Sequence, residues 1–285
     1  MSILKVLGKK IIINGETADV GDFHPDMSAE TYYEVVRLIG GKLLFLQDHL
    51  DRLSRSLSGS GMEYPGDQIL RQYLKLLLRY NDFSDGNIRI CVRAKAGEKP
   101  EILCYFISFS YPDPTMYAEG VRLLTYPHVR PNPGIKKWDD AFRMAVGRFI
   151  REHNIYEAVL LNRKRQVTEG SRSNIFFIDL DNRLVTAPAT GVLPGITRKY
   201  VLRICEKEKI RVAERLVSLD ELPGMTACFL SGTSPKVLPV RQLDGFAFTA
   251  AHPLVTLLME RFEGILQENL EQLDEVNPAR LKTNP

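Results

Sequence analysis

TEGSRSNIFFI, Thr168 to Ile178, sets a carboxylate and a glycine in a polar turn directly ahead of an unbroken apolar run. A run rich in isoleucine and phenylalanine reads as a buried strand, and such a strand holds rigidly the turn that precedes it. Glu169 is therefore expected on a fixed turn with Gly170 and Ser171. A glutamate in a turn is ordinarily solvated, and one that is buried needs a partner.

Two flanking stretches add to this. Downstream, LPGITRKYV (Leu193 to Val201) opens a helix at Gly195-Ile196-Thr197. The first N–H groups of a helix lack intrahelical partners and its dipole end is positive, so this start suits a phosphate. Upstream, a proline-rich loop (Pro131, Pro133, Gly134, Ile135) leads into Lys136 and Lys137. A surface lysine is usually just solvated, but one desolvated beside another cation at a domain junction becomes an amine nucleophile. An amine, a carboxylate on a glycine turn and a helix start of this kind point to a phosphorylated carbonyl cofactor.

With 285 residues the chain exceeds the usual size of one core, so two domains are expected. Its 44% hydrophobic and 26% charged residues lie in the ordinary globular range. The 38 basic and 35 acidic residues leave a net charge of +3 with no long basic block, which argues against a nucleic-acid groove. MSILKVLGKK lacks the apolar core of a signal peptide, and no apolar run approaches the ~20 residues of a membrane span. Cys91, Cys104, Cys205 and Cys228 are scattered without a CxxC pair and read as buried free thiols. A cytoplasmic protein with no membrane, nucleic-acid or metal partner is expected.

Along the chain, Ile11 to Ile13 and Asn14-Gly15 read as a strand and a tight turn, and residues 32–46 as a hairpin about Gly40-Gly41. Asp48 reads as the N-cap of a helix with Leu50, Leu53 and Leu57 on its apolar face, Arg52, Arg55 and Ser56 on others, and a stop at Gly59 or Gly61. A second helix is expected over Gln68 to Tyr80, then strands NIRICVRA and EILCYFISF joined by KAGEKP. Residues 120–126 read as a strand, His128 to Pro133 as a linker and Lys137 to His153 as a helix. Short strands follow, then a helix over Ile196 to Lys209, a capping box at Ser218–Glu221, two late strands (ACFLSG, KVLPV) and a last helix from Pro253 to near Leu270. The expected organisation is a smaller N-terminal α/β domain (1–118), an interdomain strand and linker (119–133) and a larger C-terminal domain (134–285).

TEGSRSNIFFI, LPGITR, LSGTS followed by LPV, and DHLDRL stand in the order and approximate spacing of a known family. The chain resembles the fold-type IV pyridoxal-phosphate enzymes, the class IV aminotransferases, which include branched-chain and D-amino acid aminotransferases and aminodeoxychorismate lyases. The likeness covers roughly Tyr33 to Gly245, and four motifs in register are specific where any one is weak.

The resemblance implies a two-domain α/β (α+β) fold with a pseudo-barrel C-terminal domain, a homodimer, and pyridoxal 5′-phosphate as cofactor. It makes Lys136 the Schiff-base lysine, with Lys137 as runner-up, and Glu169 the carboxylate on the pyridine nitrogen. Arg52 is implied as the phosphate-binding arginine, Ile196 and Thr197 as backbone phosphate donors, and Thr233 as a further hydroxyl donor. Tyr33 and Ser234 are implied to face the substrate. The activity implied is amino transfer between an amino acid, branched-chain-like or D-, and a 2-keto acid. The alternatives are a lyase releasing pyruvate and a non-catalytic relative.

Departures concern the substrate side. The family's glycine-aspartate-glycine segment is replaced by DMSAETYY, and its asparagine three positions after the lysine by Asp139, beside an unusual Trp138. Its carboxylate-trapping Arg-x-His pair is absent from RAKAGEKP, where Arg93, Lys95 and Lys99 are the available cations.

Overall fold

The computed structural model describes residues 5–23, 29–94 and 99–272. They form a mixed α/β structure with two curled sheets, divided into two compact units. Both units are discontinuous in sequence.

The first unit gathers the chain up to Phe109, the segment Ile135–Asp140, and the chain from Leu266 onward. It contains β1 (Val6–Ile13), β2 (Glu16–Asp19), β3 (Glu30–Ile39), β4 (Lys42–Leu43), α1 (Leu46–Leu57), α2 (Asp67–Tyr80), β5 (Gly86–Ala94) and β6 (Glu101–Ile107). The sheet order is β2-β1-β6-β5-β3-β4, antiparallel throughout. Asn14 and Gly15 both take positive φ (51° and 89°) between paired Ile13 and Glu16, the turn that matches strand twist. The period of two sorts side chains to the two faces. Tyr32, Val36 and Leu38 of β3 meet Leu50, Leu53 and Leu57 of α1 and Leu70, Leu74 and Leu77 of α2. Tyr33 points to the opposite face, with Cys91, Leu103, Tyr105 and Trp138.

Helix α1 starts at Leu46, and Asp48 lies in its first turn instead of capping it. The N-cap is Phe45, in the left-handed region with φ 51°, and its N–H donates to the Asn269 side chain at 3.0 Å. A tertiary partner, distant in sequence, thus fixes this turn. The helix ends at Leu57, before either glycine. Off the apolar face of Leu50, Leu53 and Leu57, Arg52 and Ser56 are nonetheless buried, and only Arg55 of the three is exposed. The turn KAGEKP lies mostly outside the described residues.

The second unit holds α3 (Pro114–Glu119), β7 (Val121–Pro127), most of α4 (Asp140–Glu152), β8 (Glu157–Leu161), β9 (Gln166–Gly170), β10 (Asn174–Asp179), β11 (Leu184–Thr186), α5 (Ile196–Lys207), β12 (Val212–Glu214), β13 (Val217–Ser218), β14 (Met225–Gly232), β15 (Lys236–Leu243), β16 (Phe246–Ala247) and the first part of α6 (Pro253–Gln272). Its sheet runs β12-β11-β10-β14-β15-β7-β8-β9-β13, with β16 on β15. Within 119–133, β7 is an inner strand, parallel to both β15 and β8. Helix α3, which the sequence reading omitted, is capped by the Asp113 carboxylate accepting from the Met116 N–H at 2.9 Å, with proline at the helix start. The Ser218–Glu221 capping box is present, on a short 3-10 turn. Among the described residues no helix is long and apolar enough to cross a membrane.

Helix α4 begins at Asp140, not Lys137. The preceding residues are occupied otherwise: the Tyr33 N–H donates to the Lys136 carbonyl at 3.1 Å and the Trp138 N–H to the Thr31 carbonyl at 2.8 Å. Residues 136–138 thus pair with β3 as a short extra strand, and that backbone cannot also be helical.

Candidate active site

In the first unit the site is built on β3 and α1. Glu34 shares the face of Tyr32 and Val36 and is fully buried, where an unpaired carboxylate would be prohibitive. Arg52 reaches it from α1, with Nε donating to Oε1 at 2.6 Å and Nη2 to Oε2 at 2.7 Å. His49, three residues earlier on α1, adds a contact from Nδ1 to Oε2 at 2.7 Å. Burial pushes the Glu34 carboxyl upward, but the Arg52 charge and the hydrogen bonds from Arg52 and His49 outweigh it and hold it well below the usual range. Burial holds His49 below its ordinary value despite Glu34 beside it, which leaves the ring neutral with its Nδ1 proton on the carboxylate.

Lys136 arrives on the segment paired with β3. Its N–H meets the Ser56 hydroxyl at 3.2 Å, and its Nζ lies 5.0 Å from the centroid of the Tyr33 ring. Tyr33 meets Trp138 edge-on at 5.5 Å. Lys137 points elsewhere, to Glu30 at 2.5 Å on the exposed side. The structure thus brings Lys136 to Tyr33, in the same unit as Arg52 of α1, and turns Lys137 away from that ring.

In the second unit Glu169 ends β9, 3% exposed, with Oε1 2.9 Å from Arg130 Nε and Oε2 accepting the Leu193 N–H at 3.1 Å. The turn after it folds over a second buried carboxylate. Glu157 accepts from the Ser171 hydroxyl at 3.0 Å, the Ser173 hydroxyl at 2.7 Å and the Arg172 N–H. Gly170 is required there, because a Cβ would stand 2.3 Å from Ser173 Oγ.

The lead-in to α5 is tied to this turn by Leu193, and Asn174 Nδ2 donates to the Leu193 carbonyl at 2.8 Å. The N-cap of α5 is Gly195, which has no side chain to offer, while Ile196 and Thr197 are buried. A buried helix start without a side-chain cap is suited to an anionic ligand. Thr233 and Ser234 occupy the turn between β14 and β15, half-buried. Gly232 lies beside the Arg172 carbonyl and Ser231 pairs in register with Asn174, so this turn borders the Glu169–Ser173 turn. Ser231 Oγ is buried with no hydrogen-bond partner.

These features fit a phosphorylated pyridine cofactor: an uncapped buried helix start, and a buried carboxylate held in place by Arg130 and the Leu193 N–H. The sequence reading did not assign Glu34, His49, Arg130 and Glu157. Glu34 and His49 left a signal, one carboxylate in phase with the apolar face of β3 and a histidine one turn before Arg52. Arg130 left none, since it sits in the stretch read as linker.

Comparison with known proteins gives the family. The chain matches the family profile described as Amino-transferase class IV over residues 31–243. The D-alanine aminotransferase of Bacillus licheniformis is 29% identical over 262 residues, 86% of this chain and 92% of that one. That of Staphylococcus aureus strain N315 is 27% identical, with 92% and 99% covered. Among solved structures, the branched-chain amino acid aminotransferase of Escherichia coli superposes with a TM-score of 0.80 at 21% identity, over 95% of this chain and 100% of that one. The Thermoproteus uzoniensis branched-chain aminotransferase with norvaline gives 0.80 at 23%, over 93% and 97%. A further branched-chain amino acid aminotransferase, solved with pyridoxamine 5′-phosphate, gives 0.82 at 22%, over 96% and 100%. At such identities these three carry the fold, while the profile spans most of the sequence, from the start of β3 to the end of β15: the chain belongs to the class IV aminotransferase family.

Proposed function

We propose that this protein is a pyridoxal 5′-phosphate-dependent aminotransferase that moves an amino group between an α-amino acid and a 2-keto acid. The observation that carries the reading is the strapping of Lys136 to β3, which aims its amine along the Tyr33 ring in the same unit as the buried Glu34–Arg52 pair. When bound, the cofactor supplies an aldehyde that condenses with amines and a ring that takes up the electron pair released at the substrate's Cα.

The residues of the chain do the rest. Lys136 would hold the group through its amine, and its Nζ would take a proton from the substrate's Cα and return one. Arg52 is the phosphate-binding arginine, its guanidinium plane set by Glu34, with the N–H groups of Ile196 and Thr197 and the Thr233 hydroxyl as further phosphate donors. Glu169, anchored by Arg130 and the Leu193 N–H, accepts the pyridinium proton's hydrogen bond. Tyr33 and Ser234 face the substrate. The family resemblance also supports a homodimer acting in the cytoplasm.

The test is the visible absorption of the purified protein, with and without added pyridoxal phosphate, repeated for Lys136→Ala. A yellow band that the substitution removes, with the fold intact by circular dichroism, is the expected result. Activity retained in Lys136→Ala and lost in Lys137→Ala would reassign the lysine. A donor panel that includes D-alanine and L-leucine, scored for keto-acid formation against pyruvate release, then separates transfer from lysis.

A further inference from the structure

Glu157 is a buried carboxylate to which the chemistry proposed above gives no part. It opens β8 at 2% exposure, and among the described residues no cation pairs with it. Its contacts come from one turn: the Ser171 hydroxyl at 3.0 Å and the Arg172 N–H on Oε1, and the Ser173 hydroxyl at 2.7 Å on Oε2. Consecutive residues thus aim their donors at a single side chain. A carboxylate suits that place because it only accepts, whereas an amide would turn a donor toward one of the hydroxyls.

The strand that carries Glu169 is irregular where the glutamate sits. Gly170 of β9 pairs with Val159 of β8, but Val167 pairs with Leu161, so residues 167–170 run beside residues 159–161. The extra residue of β9 is a β-bulge over Thr168 and Glu169, where the Thr168 hydroxyl takes the Leu160 carbonyl at 3.0 Å. A bulge interrupts the ladder and re-aims side chains, so the aim of Glu169 depends on what fixes the residues just after it. The Glu157 carboxyl lies directly against them: a Cβ on Gly170 would stand 3.0 Å from its Cδ. The Ser171 N–H donates to the Ala158 carbonyl at 2.9 Å, and the Ser171 carbonyl accepts from Arg143 Nη1 at 2.8 Å, which closes the turn around that carboxyl.

We propose that Glu157 is the positioning residue of Glu169, an inference that rests on the aminotransferase reading. By clamping Ser171, Arg172 and Ser173 it locks the bulge, and the locked bulge holds the Glu169 carboxylate in one place for the pyridine nitrogen. Arg130 and the Leu193 N–H fix the head of the Glu169 side chain, and Glu157 fixes the backbone it hangs from. A residue that acts in this way matters to a ligand only through the ring nitrogen.

The experiment therefore compares pyridoxal 5′-phosphate with deazapyridoxal 5′-phosphate, in which a carbon replaces the ring nitrogen. Both are titrated by calorimetry into the full-length protein stripped of cofactor, as parent, Glu157→Gln, Glu157→Ala, Glu169→Ala and the double variant Glu157→Ala/Glu169→Ala. The parent is expected to prefer the nitrogen-bearing compound. Glu157→Ala should lower that preference about tenfold with the deaza affinity retained, and should add nothing once Glu169 is alanine. Glu157→Gln, which keeps the shape and one acceptor oxygen, should fall between and carries the comparison if Glu157→Ala does not fold. Equal weakening of both compounds is what a merely structural residue gives, and it overturns the proposal. So does a preference unchanged in the folded variants, or absent from the parent. A parent that transaminates while its preference ignores Glu157 removes this proposal and leaves the aminotransferase reading standing. A preference that depends on Glu157 in a protein that transaminates no donor does the reverse, and a parent that binds neither compound removes both.

Discussion

Glu34 has each carboxylate oxygen matched, Oε1 by Arg52 and Oε2 by both Arg52 and His49, in a region with no solvent access. Its worth is clearest from its removal. Glu34→Leu should cost about 3–5 kcal/mol in urea denaturation, because it leaves a buried guanidinium uncompensated, while Glu34→Leu combined with Arg52→Met should recover most of that loss and abolish cofactor retention. The triad also sets a pH dependence. His49 is held below its ordinary 6.5, so on acidification the unfolded chain takes its proton first and stability falls from about pH 6.5 downward. Glu34, held below its ordinary 4.5, contributes fully above that value, and its share is lost only as pH falls through its lowered folded value. Urea midpoints at pH 7.5 and 5.5 should therefore differ, and His49→Gln should narrow the difference. At this scale Lys136, Arg52 and Glu169 were legible because motifs surround them. Arg130 was not, since it lies in the stretch read as linker and nothing there points to Glu169 as its partner.

Among the elements, those governed by local pattern were the legible ones. The second helix, the strand of Asn174–Asp179 and the final helix from Pro253 appear where periodicity and caps put them. Those governed by distant partners were not: the start of α1 depends on Asn269 and the delayed start of α4 on pairing with β3. The start of α5 yields a prediction of its own. A Cβ on Gly195 would stand 2.1 Å from Asn174 Oδ1, the side chain that holds the Leu193 carbonyl. Gly195→Ala should cost about 1–3 kcal/mol and weaken pyridoxal-phosphate binding, measured by denaturation and by absorbance titration. Unchanged binding would mean that the helix start does not hold the phosphate.

For the whole molecule, composition and cysteine placement were informative, and the division of the chain was harder to read. All four cysteines are free and buried, and burial pushes the Cys205 thiol up to about 12 and the Cys104 and Cys228 thiols further. Ellman's reagent at pH 8 should accordingly find no fast-reacting thiol until denaturant is added. The sequence offered two consecutive domains with a linker, because composition shifts mark linkers and not re-entries. The chain instead changes unit at Phe109/Ser110, Gly134/Ile135, Asp140/Ala141 and Ile265/Leu266.

The last of those changes bears on the order in which the protein is made. The Phe45 N–H and the Lys42 amine are satisfied by the Asn269 side chain and the Leu270 carbonyl, 224 and 228 residues later. On the ribosome, the sheet that carries Tyr33 and Glu34 is synthesised first and finished last. It waits through translation of the whole second unit with the start of α1 unsecured, so a nascent chain stalled before α6 should remain open to protease near Phe45 even though every strand of that sheet has already emerged.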